Sequence, residues 1–154
     1  MLPWLLRVWK WIGRWPLVQQ LLLRVLNHSF LVGATAVIFD DDRRLVLFHH
    51  TYRRQSPWGL PGGFLHRRED PPEALAREIR EESGLEVEIL RPLVATTRTE
   101  SGNCELIYLA RLTGGHFTPS AEVDQLGRFT REELPDLRPH QRAAVWAAWE
   151  LASD

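Results

Sequence analysis

Cysteine and long apolar runs are both scarce in this chain. Cys104 is the only cysteine among 154 residues, so no intramolecular disulfide can form and a reducing, cytoplasmic location is expected. Arg, Lys, Gln and Pro interrupt the N-terminal apolar residues before any run reaches the roughly 18 residues of a membrane span. With 44% hydrophobic and 25% charged residues, the composition is that of an ordinary globular protein.

Acidic residues are absent before Asp40. The basic residues of that segment are Arg7, Lys10, Arg14 and Arg24, which give it a charge of +4. The remainder has 15 basic residues (19 − 4) and 20 acidic ones, and is therefore near −5. Such a surface is a poor partner for a nucleic acid polymer, so a small phosphorylated ligand would need a metal ion to bridge it to the protein.

The N-terminal residues have a helical pattern. Residues 4–15 place Trp and aliphatic side chains on one side of a helical wheel and the basic ones opposite, which predicts an amphipathic helix. Pro16 should break it, and residues 17–26 predict a second helical stretch. Packing against the rest of the chain, a homodimer interface, or weak contact with an anionic membrane surface through residues 1–26 all fit this pattern. We favour packing or dimerisation, because an isolated helix of about 12 residues is short.

The rest of the chain alternates between strand and helix patterns. β-branched and apolar runs predict strands over residues 30–39, 44–49, 85–97, 105–112 and 124–129, and helices are predicted over 71–83 and 139–152. No internal repeat or low-complexity linker divides these elements. We therefore expect one mixed α/β (α+β) domain over residues 30–154, preceded by a Trp-rich helical extension over residues 1–29.

The helix over 71–83 has explicit end signals. Asp70 can cap its N-terminus, with Glu73 three residues later, and Pro71 suits the first helical position. Gly84 suits the left-handed position that ends a helix. The last turns carry Glu78, Glu81 and Glu82 at spacings i, i+3 and i+4, so their carboxylates share one helical face.

Three carboxylates on one face repel each other unless a cation offsets them. Clustered oxygen ligands near a phosphate are what Mg²⁺ or Mn²⁺ prefers, so this face predicts a divalent metal site. Arg77 supplies positive charge between the glutamates, and Glu69 lies just upstream. Gly62 and Gly63 remove side chains ahead of the helix, where the backbone can turn sharply or approach a ligand.

From Gly63 to Leu85 the sequence reads Gly, five residues, Glu69, seven residues, and then Arg-Glu-Ile-Arg-Glu-Glu-Ser-Gly-Leu. This segment resembles the Nudix box, G-x5-E-x7-R-E-U-x-E-E-x-G-U with U aliphatic, without any substitution. The preceding Trp58-Gly-Leu-Pro-Gly-Gly63 also resembles the lead-in found in many members. The resemblance implies the Nudix fold, in which a mixed β-sheet is sandwiched between helices.

The resemblance also implies an activity. Members of the family generally hydrolyse a phosphoanhydride bond in a nucleoside diphosphate linked to another moiety, by attack of water on phosphorus. Mapped onto this chain, the implied metal-site residues are Gly63, Glu78, Glu81 and Glu82. Glu81 or Glu82 is also a possible base, and Arg77 would orient a glutamate. Many members recruit a further glutamate from a later loop, and Glu122 is the best-placed candidate here, ahead of Glu105 and Asp124.

The substrate contacts are less well defined by the sequence. Arg53 and Arg54 precede the Pro/Gly stretch and are candidates for contacting a substrate phosphate, although paired loop arginines are usually surface residues. Trp58 is a candidate for stacking on a base, although packing is the commoner role of such a tryptophan. The alternative to an enzyme is a catalytically inactive Nudix-fold module that binds a nucleotide and signals.

Overall fold

The computed structural model describes residues 4, 10–11, 14–26, 30–98 and 102–151. The chain divides into two compact units, Met1–Phe30 and Leu31–Asp154. In the first unit, helix α1 (Pro16–Leu26) begins at the proline that was expected to interrupt the N-terminal helical pattern. The helix predicted over residues 4–15 lies largely outside the described residues.

Helix α1 presents apolar side chains to solvent. The exposed fractions of Leu17, Leu21, Val25 and Leu26 are 81%, 63%, 74% and 71%. Its eleven residues include no acidic one. Among the described residues, no helix has the length and apolar character needed to cross a membrane.

The described residues of the second unit form seven strands and two helices. The strands are β1 (Leu31–Phe39), β2 (Leu45–His50), β3 (Trp58–Gly59), β4 (Gly62–Phe64), β5 (Leu85–Arg98), β6 (Asn103–Gly115) and β7 (Val123–Phe129), and the helices are α2 (Pro71–Ser83) and α3 (Pro139–Leu151). The predicted strands and helices are present with small shifts at their ends. The short strands β3 and β4 were not predicted, because the Pro/Gly stretch that contains them has a turn composition.

Strand β1 organises the sheet. It pairs in parallel with β6 along its whole length, from Leu31 opposite Asn103 to Phe39 opposite Arg111. Its other edge pairs with β4 and, at Phe39, with β2. Strand β5 extends the sheet beyond β6, and β2 carries β3 and β7.

The alternation of side chains along β1 separates two apolar cores. Ala34, Ala36 and Ile38 lie in the core that includes Leu75 and Ile79 of α2. Val37 lies in the other core, which also contains the α3 residues Ala144, Val145, Ala148 and Trp149. The two helices thus cover opposite faces of a mixed sheet, which confirms the predicted architecture.

Helix α2 begins and ends where predicted, but its first turn lacks the predicted side-chain cap. Gly84 has φ 72°, and its N–H donates to the Arg80 carbonyl, which stops the helix in the left-handed conformation. Asp70 occupies the N-cap position, but its side chain makes no capping hydrogen bond, so that part of the prediction is wrong. Pro71 and Pro72 lack N–H groups, so fewer donors at this end need a partner.

Candidate active site

Two glycines allow β4 to lie against β1 and α2. Gly62 has φ 136°, and a Cβ there would stand 2.1 Å from the Ala34 carbonyl oxygen. A Cβ at Gly63 would stand 2.5 Å from Oε2 of Glu78. Only glycine fits at either position without displacing its neighbours, so the glycine pair brings the β4 backbone beside a carboxylate of α2.

A cavity of about 590 Å³ opens at this point. Its lining includes Gly63, Glu78 and Glu82, together with Glu122 from the loop before β7. Glu78 and Glu82 stand one helical turn apart, and β7 is held against β2, which fixes the loop that carries Glu122. The volume lies within the usual range of ligand-binding cavities.

The Glu82 carboxylate has an unusual environment. Its Oε2 atom is buried and has no hydrogen-bond partner among the residues that the structure describes. Burial, and then the negative charges of Glu78 and Glu122, raise the pKa of Glu82 to about 7 from its ordinary value of 4.5. The shift shows that the three carboxylates interact electrostatically.

Arg77 connects three glutamates on the side of the helix. Its guanidinium donates to both carboxylate oxygens of Glu69, at 2.6 and 3.0 Å. It also forms ion pairs with Glu78 at 2.8 Å and with Glu81 at 2.9 Å. The hydrogen bonds from Arg77, with a further one from the His66 backbone, lower the pKa of Glu69 to about 2. The guanidinium therefore fixes the position of Glu78 at the cavity.

The three remaining candidate carboxylates have different surroundings. The Glu81 side chain is 58% exposed, pairs with Arg77, and does not line the cavity. Of the two alternatives to Glu122, Asp124 pairs with His49 at 2.6 Å and lies outside the cavity lining. Glu105 does line it.

Glu105 is the centre of a polar network that the sequence did not single out as a unit. Its carboxylate accepts hydrogen bonds from Thr35 at 3.0 Å and from Gln141 at 2.7 Å, and it contacts His140 at 2.7 Å. Burial alone would raise the pKa of Glu105, but the bonds from Gln141, His140 and Thr35 outweigh it and leave the pKa lowered. Its partners come from β1 and α3, and no spacing in the sequence indicates that they meet.

The glutamates at the cavity fit a hard divalent cation. Glu82 faces the negative charges of Glu78 and Glu122, and its buried Oε2 atom has no hydrogen-bond partner among the described residues, so this carboxyl is short of positive charge and of a donor. Within the described ranges, no three Asp, Glu, His or Cys side chains already stand in ligating positions. Glu78 is paired with Arg77, so a small side-chain rearrangement would accompany metal binding.

The three predicted substrate residues occupy different places. Arg53 lines the cavity, whereas Arg54 is exposed and outside it. Trp58 packs edge-on against His49 and Phe129, with ring centroids 5.1 and 5.0 Å away. This position agrees with the packing interpretation of Trp58.

Comparison with known proteins places this geometry in a family. The NUDIX domain model matches residues 29–149. The 8-oxo-dGDP phosphatase NUDT18 of Danio rerio is 34% identical over 121 residues, which are 74% of this chain and 36% of that protein. A MutT-like protein of Streptomyces ambofaciens is 29% identical, over 71% of this chain and 68% of its own length. The chain thus spans about a third of the first relative and two thirds of the second.

Solved structures share the fold. The MutT NUDIX hydrolase of Burkholderia pseudomallei matches with a TM-score of 0.64 and 29% identity, over 77% of this chain and 97% of that one. An ADP-ribose pyrophosphatase of Streptococcus suis matches with a TM-score of 0.67 and 26% identity, over 79% and 92%. Since the family model covers most of the chain, including the glutamate-bearing helix and the glycine strand beside it, the chain belongs to the Nudix hydrolase family.

Proposed function

We propose that this protein is a metal-dependent pyrophosphohydrolase that cleaves a phosphoanhydride bond in a nucleoside diphosphate linked to a further group. The observation that carries the proposal is the meeting of Glu78, Glu82 and Glu122 beside Gly63 in one cavity. Relatives named as an 8-oxo-dGDP phosphatase and an ADP-ribose pyrophosphatase support a small nucleotide derivative as substrate. The catalytic domain would comprise residues 30–154, with residues 1–29 as an extension.

Metal binding, positioning and proton acceptance would fall to different side chains of the site. Glu78, Glu82 and Glu122 would hold Mg²⁺ or Mn²⁺, and Glu81 would join them only by leaving its ion pair with Arg77. When bound, the cation neutralises phosphate charge and acidifies water. Arg77 keeps Glu78 facing the cavity. Glu82 is the better proton acceptor of the two candidate bases, because its carboxylate lies in the cavity whereas that of Glu81 is largely exposed.

Turnover of a substrate panel tests this proposal. Nucleoside triphosphates, nucleotide sugars, ADP-ribose, CDP-choline and dinucleoside polyphosphates would be incubated with Mg²⁺ or Mn²⁺, and the released products measured. We expect cleavage that requires the metal and that Glu82→Gln lowers by about 10²-fold or more. Glu73→Gln, on the exposed first turn of the same helix, is the matched control. Wild-type turnover in both Glu81→Gln and Glu82→Gln would overturn the assignment.

For the N-terminal extension we propose contact with an anionic membrane surface, in place of the packing or dimerisation that its short predicted helix favoured. The argument is charge and apolar complementarity: residues 1–39 contain four basic and no acidic residues, and α1 exposes Leu17, Leu21, Val25 and Leu26. Contact with a surface would bury these side chains while lysine and arginine meet lipid phosphates.

Co-sedimentation with phosphatidylserine-containing vesicles tests this contact in the full chain. Leu21→Glu together with Val25→Glu should abolish binding, whereas Leu90→Glu, at an exposed apolar residue of β5, should not. Wild-type protein that stays in the supernatant would refute the membrane proposal. A wild-type dimer that the double variant dissociates, without vesicle binding, would identify a second copy of the chain as the occupant instead.

A further inference from the structure

The cavity that holds the glutamates also carries a group of arginines. Arg53 follows β2, Arg98 ends β5, and Arg138 immediately precedes α3, yet all three line the same cavity. Three separate segments of the chain thus deliver guanidinium groups to one place. We call them the arginine triad.

The members of the triad are close enough to repel. Burial, and then the positive charges of Arg53 and Arg98, lower the pKa of Arg138. Burial and the charges of Arg53 and Arg138 likewise lower the pKa of His50 to about 4, so this neighbour is neutral at physiological pH. Arg138 also stands at the N-terminus of α3, where the helix dipole disfavours a cation. The positive charges of the three arginines therefore act on one another in this part of the cavity.

The protein offsets this charge only in part. Among the described residues, the Arg138 side chain has no ion pair or hydrogen bond. The Nε atom of Arg53 is buried without a hydrogen-bond partner in the described part of the chain, and its Cζ atom lies 5.6 Å from the Tyr52 ring centroid. Glu105 attracts Arg138, but its carboxylate already accepts from Thr35 and Gln141 and contacts His140. Clustered guanidinium groups in a cavity, of which Arg53 and Arg138 are under-satisfied by the described residues, are characteristic of a site for an anion.

Arg53 joins the triad to the glutamates. Arg53 lies near enough to Glu82 for its positive charge to oppose the rise in the pKa of the Glu82 carboxyl. It also lies near enough to Arg138 for the same charge to lower the pKa of the Arg138 guanidinium. The acidic and basic parts of the cavity are therefore neighbours. A single polyphosphate chain can reach both.

We propose that the arginine triad is a subsite for a phosphoryl group additional to the diphosphate held at the glutamates. This inference rests on the proposed function and narrows its substrate class. It favours nucleotides with three contiguous phosphates over nucleotide sugars and other diphosphates whose second substituent is neutral. Arginine is suited to this task because its planar donors match two phosphate oxygens at once.

Metal-free binding of inorganic triphosphate tests the subsite separately from catalysis. Calorimetry in the presence of a chelator should detect binding to the wild-type protein and a loss of at least about tenfold in affinity for Arg138→Gln and for Arg53→Gln. Arg142→Gln, which removes an exposed arginine of α3 that pairs with Asp136, is the control and should bind like the wild type. Equal affinity in all four proteins, or no binding by the wild type, would overturn the subsite.

A second measurement addresses specificity. The ratio of kcat/KM for a nucleoside triphosphate to that for a nucleotide sugar should fall at least about tenfold in Arg138→Gln, and an unchanged ratio would overturn the inference. Glu82→Gln separates the two proposals, since it should lose turnover of every substrate yet still bind inorganic triphosphate without metal. Triphosphate binding that depends on the triad, in a protein that cleaves nothing, would retain the subsite and reject the hydrolase.

Discussion

Replacing Glu82 by glutamine in the metal-free protein should raise its stability at neutral and alkaline pH. In the folded chain the pKa of this carboxyl is about 7, against 4.5 for the ordinary group. At about 1.36 kcal/mol for each pH unit, the difference corresponds to about 3 kcal/mol of unfavourable free energy for the ionised form. The side chain is only partly buried, so solvent screening reduces the expected gain to about 2 kcal/mol or less.

The pH dependence follows from the direction of the shift. Below pH 4.5 the carboxyl is protonated in both folded and unfolded chains, so the wild type and Glu82→Gln should unfold alike. Between pH 4.5 and about 7 the wild type should lose stability relative to Glu82→Gln as pH rises, because the Glu82 carboxyl of the unfolded chain releases its proton at a lower pH than that of the folded chain. Above about pH 7 the loss is complete, and the difference between the two proteins should be constant.

Urea unfolding at several pH values, with a chelator present, measures this difference. Glu73→Gln controls for the loss of one negative charge from the same helix and should change stability by only a few tenths of a kcal/mol. Adding Mn²⁺ above pH 7 should then stabilise the wild type more than Glu82→Gln, since only the former keeps the carboxylate. A Glu82→Gln protein that is less stable than the wild type at about pH 8 without metal would contradict an unfavourable free energy for the ionised Glu82 carboxylate.

Three further substitutions probe the surroundings of the cavity. Gly63→Ala should weaken Mn²⁺ binding measured by calorimetry, because its Cβ would meet Oε2 of Glu78 at 2.5 Å, whereas Gly114→Ala, which would meet the mobile end of Glu86, should not. Arg77→Lys should lower kcat or metal affinity by about 10- to 100-fold, since one ammonium cannot hold three glutamates, and unchanged kinetics would contradict this role. Glu105→Gln should cost about 1–3 kcal/mol in urea unfolding, because a buried charged acceptor is lost, and an unchanged midpoint would contradict the network.

The parts of the molecule that depend on local sequence were predictable. Helix α2 has a regular apolar spacing, prolines at its start and Gly84 at its end, and all of these signals act within 14 residues, from Pro71 to Gly84. The predicted Asp70 side-chain cap is absent; Pro72 removes one of the two N–H groups that such a cap accepts from, and that of Glu73 remains. The strands β3 and β4 were missed because pairing with β2 and β1 stabilises an extended conformation that their own turn-like composition does not indicate.

The candidate site was predictable to the extent that it lies on α2. Glu78 and Glu82 line the cavity, and helical spacing indicates that they share a face. The same spacing cannot show that Glu81 turns toward Arg77 and away from the cavity. Arg98 and Arg138 occur singly at the end of a strand and the start of a helix, and only the tertiary fold brings them near Arg53.

The parallel pairing of β1 with β6 affects the order in which parts of the protein fold. The paired residues are 72 positions apart, as in Leu31 and Asn103 (103 − 31), so a long loop must close before any of these contacts form. The β5–β6 hairpin and helix α2 involve contacts between nearer residues and should form earlier. Thr35 of β1 and Glu105 of β6 meet only once the long loop has closed. Ligand-binding competence should therefore appear late in refolding, after most of the helical signal has recovered.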